Sequence, residues 1–172
     1  MAVHPIRILG DPVLRRKAKR VPKSALSAVE GIDASIHRLI EDMIDSMRAA
    51  SGVGLAAPQI GVSLRVIVIG LPDEEPFALI NPEIVKRSGE RQVEEGCLSV
   101  PGYRAELTRS LTVVAKGLDA QGRPLRIKAR DDLLAEALEH EIDHINGILY
   151  IDHLPSLDAL VKIEAEEEPA RR

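Results

Sequence analysis

Residues 133–147, LLAEALEHEIDHING, constrain this chain more than any other stretch, because they set two imidazoles and a carboxylate one helical turn apart. They hold His140, Glu141 and His144 in an H-E-x-x-H arrangement. Four residues make slightly more than one turn of α-helix, so His140 and His144 project from the same side. Two such imidazoles can grip one metal ion, and the carboxylate between them can then reach a water on that ion. The arrangement works only on a helix, and the flanks supply one. Asp131 or Asp132 caps its start, and Gly147 ends it in a left-handed turn. Leu134, Leu138, Ile142 and Ile145 make one apolar stripe, with Ala137, Glu141 and His144 beside it and Leu133 and His140 further round. Glu136, Glu139 and Asp143 fall on the opposite, polar side. An ordinary amphipathic helix with two hydrogen-bonded histidines needs only the stripe. A ligand pair also needs Glu141 on the same inner edge, and the spacing puts it there.

Catalytic zinc-like sites use three protein ligands and leave a position for water, so a third donor is required. In the longer protease pattern H-E-x-x-H-x-x-G-x-x-H, Gly147 fits, but the third ligand position holds Tyr150. His153 is a substitute, against which stands its reading as a surface histidine. Cys97 is the stronger candidate, because a thiolate is a soft, strongly binding ligand. The competing reading of a lone buried cysteine is a small apolar residue.

The rest of the composition narrows the class. A length of 172 residues suits one domain with a sizeable core. One phenylalanine and two tyrosines (Phe77, Tyr103 and Tyr150) leave the core to aliphatic residues. A net charge of −4 argues against a general nucleic-acid binder, and the one basic cluster, Arg15 to Arg20, reads as a solvated surface. The N-terminus MAVHPIRILG has no charged leader before an apolar stretch, and the longest apolar run is far too short to cross a bilayer. A single cysteine excludes an internal disulfide framework. The expectation is a cytoplasmic monomer that binds neither membrane nor nucleic acid directly.

Along the chain, residues 1–23 read as an extended or irregular arm, and residues 33–50 as an amphipathic helix on 3 and 4 spacings. The segment GVGLAAPQIG, residues 52–61, is too rich in glycine for a comfortable helix or strand; it is either a tight connection or a place where a ligand approaches backbone. Strands are expected over residues 65–70, 77–80, 84–86 and 92–95, and a hairpin over 111–118 and 124–128. Residues 95–102 interrupt regular pairing. After the histidine helix come a short strand over 148–151, a last helix over 157–167 started by Ser156, and a loose tail at 169–172. Together these make a single α+β domain spanning 1–172. Its short mixed or antiparallel sheets pack around the central metal-binding helix, with an N-terminal helix before it and a short C-terminal helix after it.

Three separated segments, GVGLAAPQIG at 52–61, EGCLS at 95–99 and HEIDH at 140–144, together resemble the peptide deformylase family in order and spacing. The arm ILGDPVLRRKAKRV, residues 8–21, is similar to that family's N-terminus. The resemblance implies one divalent ion held by Cys97, His140 and His144. Fe(2+) is the usual ion, and Zn(2+) or Ni(2+) is able to occupy the site. It implies removal of the formyl group from N-formylmethionyl peptides, releasing formate. Water activated at the metal attacks the formyl carbon, and Glu141 takes its proton and later delivers it to the leaving amine. By the same resemblance the Leu98 backbone N–H and the Gln59 side-chain amide steady the oxyanion, and Gly54 aligns the peptide through its backbone. Val53, Val93, Leu133 and Ala137 are the candidates for the methionine pocket, and Arg104 matches an arginine near its mouth. Asp143, on the polar side of the helix, is expected to pair with Arg109; Glu95 joins them as a structural residue.

Departures accompany the resemblance. Glu139 stands where the family commonly has glutamine, adding negative charge near the site, and Glu136 differs from the apolar residue of some members. Some relatives dock on the ribosome through a basic final helix, whereas Glu164, Glu166, Glu167 and Glu168 make this end acidic, so at most a weak ribosome association is expected. The competing readings are an H-E-x-x-H endopeptidase with a ligand downstream of His144, and a non-enzymatic binding protein on the same scaffold.

Overall fold

The run Val66-Ile67-Val68-Ile69 has no polar side, and such a strand needs cover on both faces. The computed structural model, which describes residues 2–27 and 31–163, supplies that cover. In chain order the elements are β1 (Leu26–Ser27), β2 (Gly31–Ile32), α1 (Ala34–Ala49), β3 (Gly54–Ala56), β4 (Val66–Ile69), β5 (Phe77–Ser88), β6 (Arg91–Cys97), β7 (Val100–Arg109), β8 (Thr112–Leu118), β9 (Pro124–Arg130), α2 (Leu133–Ile145) and β10 (Val161–Lys162). One antiparallel sheet runs β3-β4-β5-β8-β9, a second runs β10-β7-β6, and β1 pairs with β2. α1 lays Ile36, Ile40, Met43 and Met47 against Val66, Val68, Ala78 and Ile80. α2 lays Ala135, Leu138, Ile142 and Ile145 against Ile67, Ile69, Leu79, Val113 and Ala115. Alternate residues of β4 therefore serve opposite layers, as the two-residue period of a strand requires. The smaller sheet adds a third cluster, in which Cys97, Val100, Ala105 and Leu107 meet Leu149, Tyr150 and Ile151. The fold is α+β.

The N-terminal arm is irregular apart from a 3-10 turn at Pro12–Arg15, yet it is firmly held. Its backbone donates from Arg7 to the Gln59 carbonyl at 2.7 Å, from Leu9 to Ser99 at 2.8 Å and from Ala18 to Ile145 at 2.8 Å. Arg15 also pairs with Asp152 at 2.6 Å. Gly147, at φ +75°, lies so close beneath the arm that a Cβ there would sit 2.6 Å from the Arg15 carbonyl oxygen. Both the left-handed backbone and the close approach demand glycine at this position. Gly147→Ala is expected to destabilise the protein by about 2–3 kcal/mol. The urea midpoint should fall with the slope of the transition unchanged.

Several elements differ from the sequence expectation, each for a physical reason. The two short strands expected at 77–80 and 84–86 are one strand, β5, with register shifts after Ile80 and Ile84. Pro82 is tolerated because it sits in that bulge, where Asn81 takes φ +51° and its side chain holds both the N–H and the carbonyl of Val21. β7, for which no strand was expected, is hidden behind Pro101 and Gly102, and one of its inward positions is Arg109. The strand expected at 148–151 is instead a 3-10 turn at Tyr150–His153. The last helix is replaced by a 3-10 turn at Leu157–Ala159 followed by β10, which takes the free edge of β7 opposite Tyr103 and Arg104. The remainder of that expected helix, residues 164–167, and the tail at 169–172 lie outside the described residues. α2 has no polar outer side: Glu136, Glu139 and Asp143 are buried along with every other residue from Ala135 to Ile145.

Candidate metal centre

α2 begins where the Asp132 side chain accepts the Ala135 N–H at 2.8 Å, and this fixes the rotation that turns His140 and His144 inward. Cys97 arrives from the other direction, at the end of β6, where the pairing with β7 slips between Gly96 and Cys97. The His140 and His144 Nε2 atoms are 3.2 Å apart, and Cys97 Sγ is 3.3 Å from His144 Nε2. One donor atom from each residue lies within 4.8 Å of the others, and all three side chains are buried. Tetrahedral bonds of zinc-like length place nitrogen and sulfur donors about 3.3–3.6 Å apart, so the set fits one ion. His140 donates from Nδ1 to Glu95 Oε1 at 2.6 Å, which leaves its Nε2 lone pair toward the shared space.

Glu141 is fully buried one residue on, and its carboxylate lies over β3. A Cβ at Gly54 would be 2.5 Å from Glu141 Oε1, so a side chain at 54 and this carboxylate exclude each other. Gln59 comes from a 3-10 turn at Ala57–Ile60 that Gly61 closes at φ +86°. Its Oε1 accepts the Ala56 N–H at 2.9 Å, while its Nε2 donates to Ser99 Oγ at 3.1 Å and lies 3.8 Å from Cys97 Sγ. Leu98 occupies the turn between β6 and β7 and is buried. Val53 precedes β3, Val93 lies on β6, and Leu133 and Ala137 lie on the first turns of α2. Val93 and Leu133 are half-buried, whereas Ala137 is fully enclosed. Arg104 sits on β7 opposite Gly96 and reaches Glu94 at 3.0 Å. A groove of about 730 Å³ elsewhere, lined by Val21, Ile80 and Leu118 with Arg20 and Lys116 at its rim, contains none of these residues.

Residues 3–159 match the family described as polypeptide deformylase. The chain belongs to that family. It is 56% identical over 169 residues to the peptide deformylase of Dehalococcoides mccartyi strain CBDB1, covering 98% of this chain and 96% of the relative. It is 45% identical over 176 residues to that of Thermomicrobium roseum, covering 98% and 95%. The crystal structure of a peptide deformylase from Legionella pneumophila superposes with a TM-score of 0.83 at 47% identity, over 92% of this chain and 89% of that one.

In this member of the deformylase family the donors stand on a buried electrostatic frame. Arg109 grips both Glu95 oxygens, from Nε at 2.6 Å and Nη2 at 2.9 Å, and Asp143 from Nη1 at 2.8 Å. Burial opposes ionisation of Glu95, but the hydrogen bonds from Arg109 and His140 outweigh it and hold the carboxyl far below its usual range. Burial likewise opposes ionisation of Asp143, and His153 and Arg109 together pull it low. Burial pushes the Cys97 thiol up to about 12, with the Glu141 and Glu95 charges acting in the same direction. A bound cation would reverse that balance and hold the thiolate. His144 is driven well below the ordinary histidine value by burial and then by His140, which keeps it in the neutral, ligating form.

Glu139 does not bring loose negative charge to the site. Its Oε2 accepts from Arg87 at 3.3 Å and its Oε1 from the Ser110 N–H at 2.8 Å. Two residues gain a place that sequence reasoning did not give them. Ser99, the last residue of EGCLS, receives Gln59 and also donates its own N–H to Cys97 Sγ at 3.4 Å. His153, expected as a third ligand or a surface residue, contacts Asp143 at 2.8 Å instead of joining the donor set. The Gln59–Ser99 contact joins segments forty residues apart, and the Asp143–His153 contact joins α2 to the turn after it, so neither leaves a local pattern in the sequence.

Proposed function

We infer that this chain is a metal-dependent hydrolase that removes the formyl group from N-formylmethionyl peptides and releases formate. The observation that supports this most is the meeting of Cys97, His140 and His144 in one buried donor set, with Glu141 next in sequence to His140. A divalent ion held there supplies Lewis acidity and brings the pKa of water toward neutrality. Sulfur with two imidazoles suits Fe(2+), and admits Zn(2+) and Ni(2+).

Glu141 accepts the proton that water gives up as its oxygen bonds to the formyl carbon. It returns that proton to the peptide nitrogen as the C–N bond breaks, leaving formate and a free amine. The Gln59 amide, held at Oε1 by the Ala56 N–H, keeps its Nε2 donor toward the oxyanion, and the Leu98 N–H is the second donor. Gly54 brings backbone close to the substrate, where a side chain would collide with Glu141. Val53, Val93, Leu133 and Ala137 receive the methionine side chain, and Arg104 stands near the mouth. Asp143, Arg109 and Glu95 are structural supports. The protein acts as a single-domain cytoplasmic monomer with at most a weak ribosome association. Among the described residues no helix is long and apolar enough to cross a membrane.

The test is formate release from a formyl-Met peptide by protein loaded anaerobically with Fe(2+). Cleavage of internal peptide bonds with the formyl group left in place would establish the endopeptidase reading instead. Cys97→Ala should purify with a small fraction of the wild-type metal, measured by elemental analysis, and should release no formate above background.

A further inference from the structure

The turn at Tyr150–His153 is tied to the metal centre at both of its ends. At one end the Tyr150 ring stacks on His140, with centroids 6.2 Å apart and planes at 25°. At the other, His153 Nε2 lies 2.8 Å from Asp143 Oδ2 and 3.4 Å from Arg109 Nη1. An N–H cannot serve both contacts, since guanidinium only donates. The shorter contact, to a carboxylate held ionised by Arg109, assigns the proton to His153 Nε2 as donor. Asp143 Oδ2 thus receives two donors, and Arg109 is held on three edges: Nε and Nη2 by Glu95, Nη1 by Asp143. Glu95 in turn receives His140 Nδ1. His153, Asp143, Arg109, Glu95 and His140 form one unbroken chain of contacts from an imidazole that is 37% exposed to a metal-binding imidazole that is 1% exposed.

We propose that His153 is a positioning residue for the metal centre, acting through Asp143, Arg109 and Glu95 on the orientation of His140. This rests on the metal-centre reading above. Removing the His153 donor leaves Asp143 held by Arg109 alone, so the guanidinium has two competing carboxylates and one fewer partner fixing their places. The effect reaches His140 as a looser Nε2 direction. Partners that orient a metal-bound histidine change metal affinity by about 10- to 100-fold on mutation, and a residue three contacts further out should change it less.

The experiment titrates the metal-free full chain with Co(II), following the near-ultraviolet sulfur-to-cobalt absorption band, and then times removal of the ion by a chelator. His153→Ala should bind Co(II) about five- to tenfold more weakly and lose it correspondingly faster, with KM for a formyl peptide unchanged. His153→Gln, which retains an N–H donor, should restore affinity to within about twofold of wild type. The thermal midpoint of the metal-free proteins is measured alongside. Co(II) affinity in His153→Ala within twofold of wild type would overturn the proposal, whatever the midpoint does. A loss that His153→Gln does not repair would overturn it as well. A wild-type chain that binds no Co(II) would overturn the metal-centre reading itself, and the wild-type titration separates that failure from the others.

Discussion

Glu141→Gln should release formate from a formyl-Met peptide about a hundred to ten thousand times more slowly than wild type, the range set by loss of a general acid–base. Glutamine keeps the shape of the buried side chain and its fit over Gly54, but it can neither accept the proton of water nor deliver one to the amine. The donor set is left intact, so metal content measured by elemental analysis should match wild type. KM should change little, because the lost interaction belongs to the reaction rather than to binding. A variant with full metal and near-wild-type turnover would remove Glu141 from its assigned role and require another base.

Arg109→Met should cost the fold about 3–5 kcal/mol at neutral pH, the largest stability effect expected in this chain. Arg109 is buried, and it is the only arginine that compensates both Glu95 and Asp143 among the described residues. Methionine fills much of the volume but leaves two buried carboxylates without their main counter-charge. The pH dependence provides a second check. In wild type both carboxyls are depressed in the folded state, so their stabilisation is complete above their unfolded values of about 4 and is lost as the pH falls through the folded ones. In the variant, burial acts with less opposition and raises both carboxyls, so protonation relieves the folded state. The gap in unfolding free energy between the two proteins should therefore narrow from pH 7 to pH 4, read from urea midpoints across that range. A gap that widens on acidification would contradict this electrostatic account.

Local pattern made the donors legible, whereas their supports were written in remote segments. HEIDH is a helical spacing that singled out His140, Glu141 and His144, and EGCLS announces a departure from regular pairing at which Cys97 stood out as a third donor; the part given to Gln59 came instead from the resemblance to the family. The α+β fold followed from the same periodicities, since α1, β4 and the β8–β9 hairpin each carry their own pattern. The burial of Glu136, Glu139 and Asp143 had no such signal. Helical periodicity puts them outward, and only the arrival of Arg87, Ser110, Arg109 and His153 from other elements makes the interior habitable for Glu139 and Asp143. β7 was obscured because Pro101 and Gly102 break its start and the inward position at its end is Arg109, which leaves only Ala105 and Leu107 alternating with Glu106 and Thr108. The end of the chain misled for a related reason. Residues 157–163 look helical in isolation, but an unpaired strand edge beside Tyr103 and Arg104 offers backbone partners that a free helix lacks.

The stitched arm has a bearing on how this protein is made. Arg7, Leu9 and Ala18 leave the ribosome before the residues whose carbonyls they seek, Gln59, Ser99 and Ile145. These closures span ever longer loops, and the last cannot form until Ile145 has been synthesised. Translation therefore imposes a delay: an enzyme that trims the beginnings of new polypeptides completes its own working core only when an early segment of it meets a helix made much later.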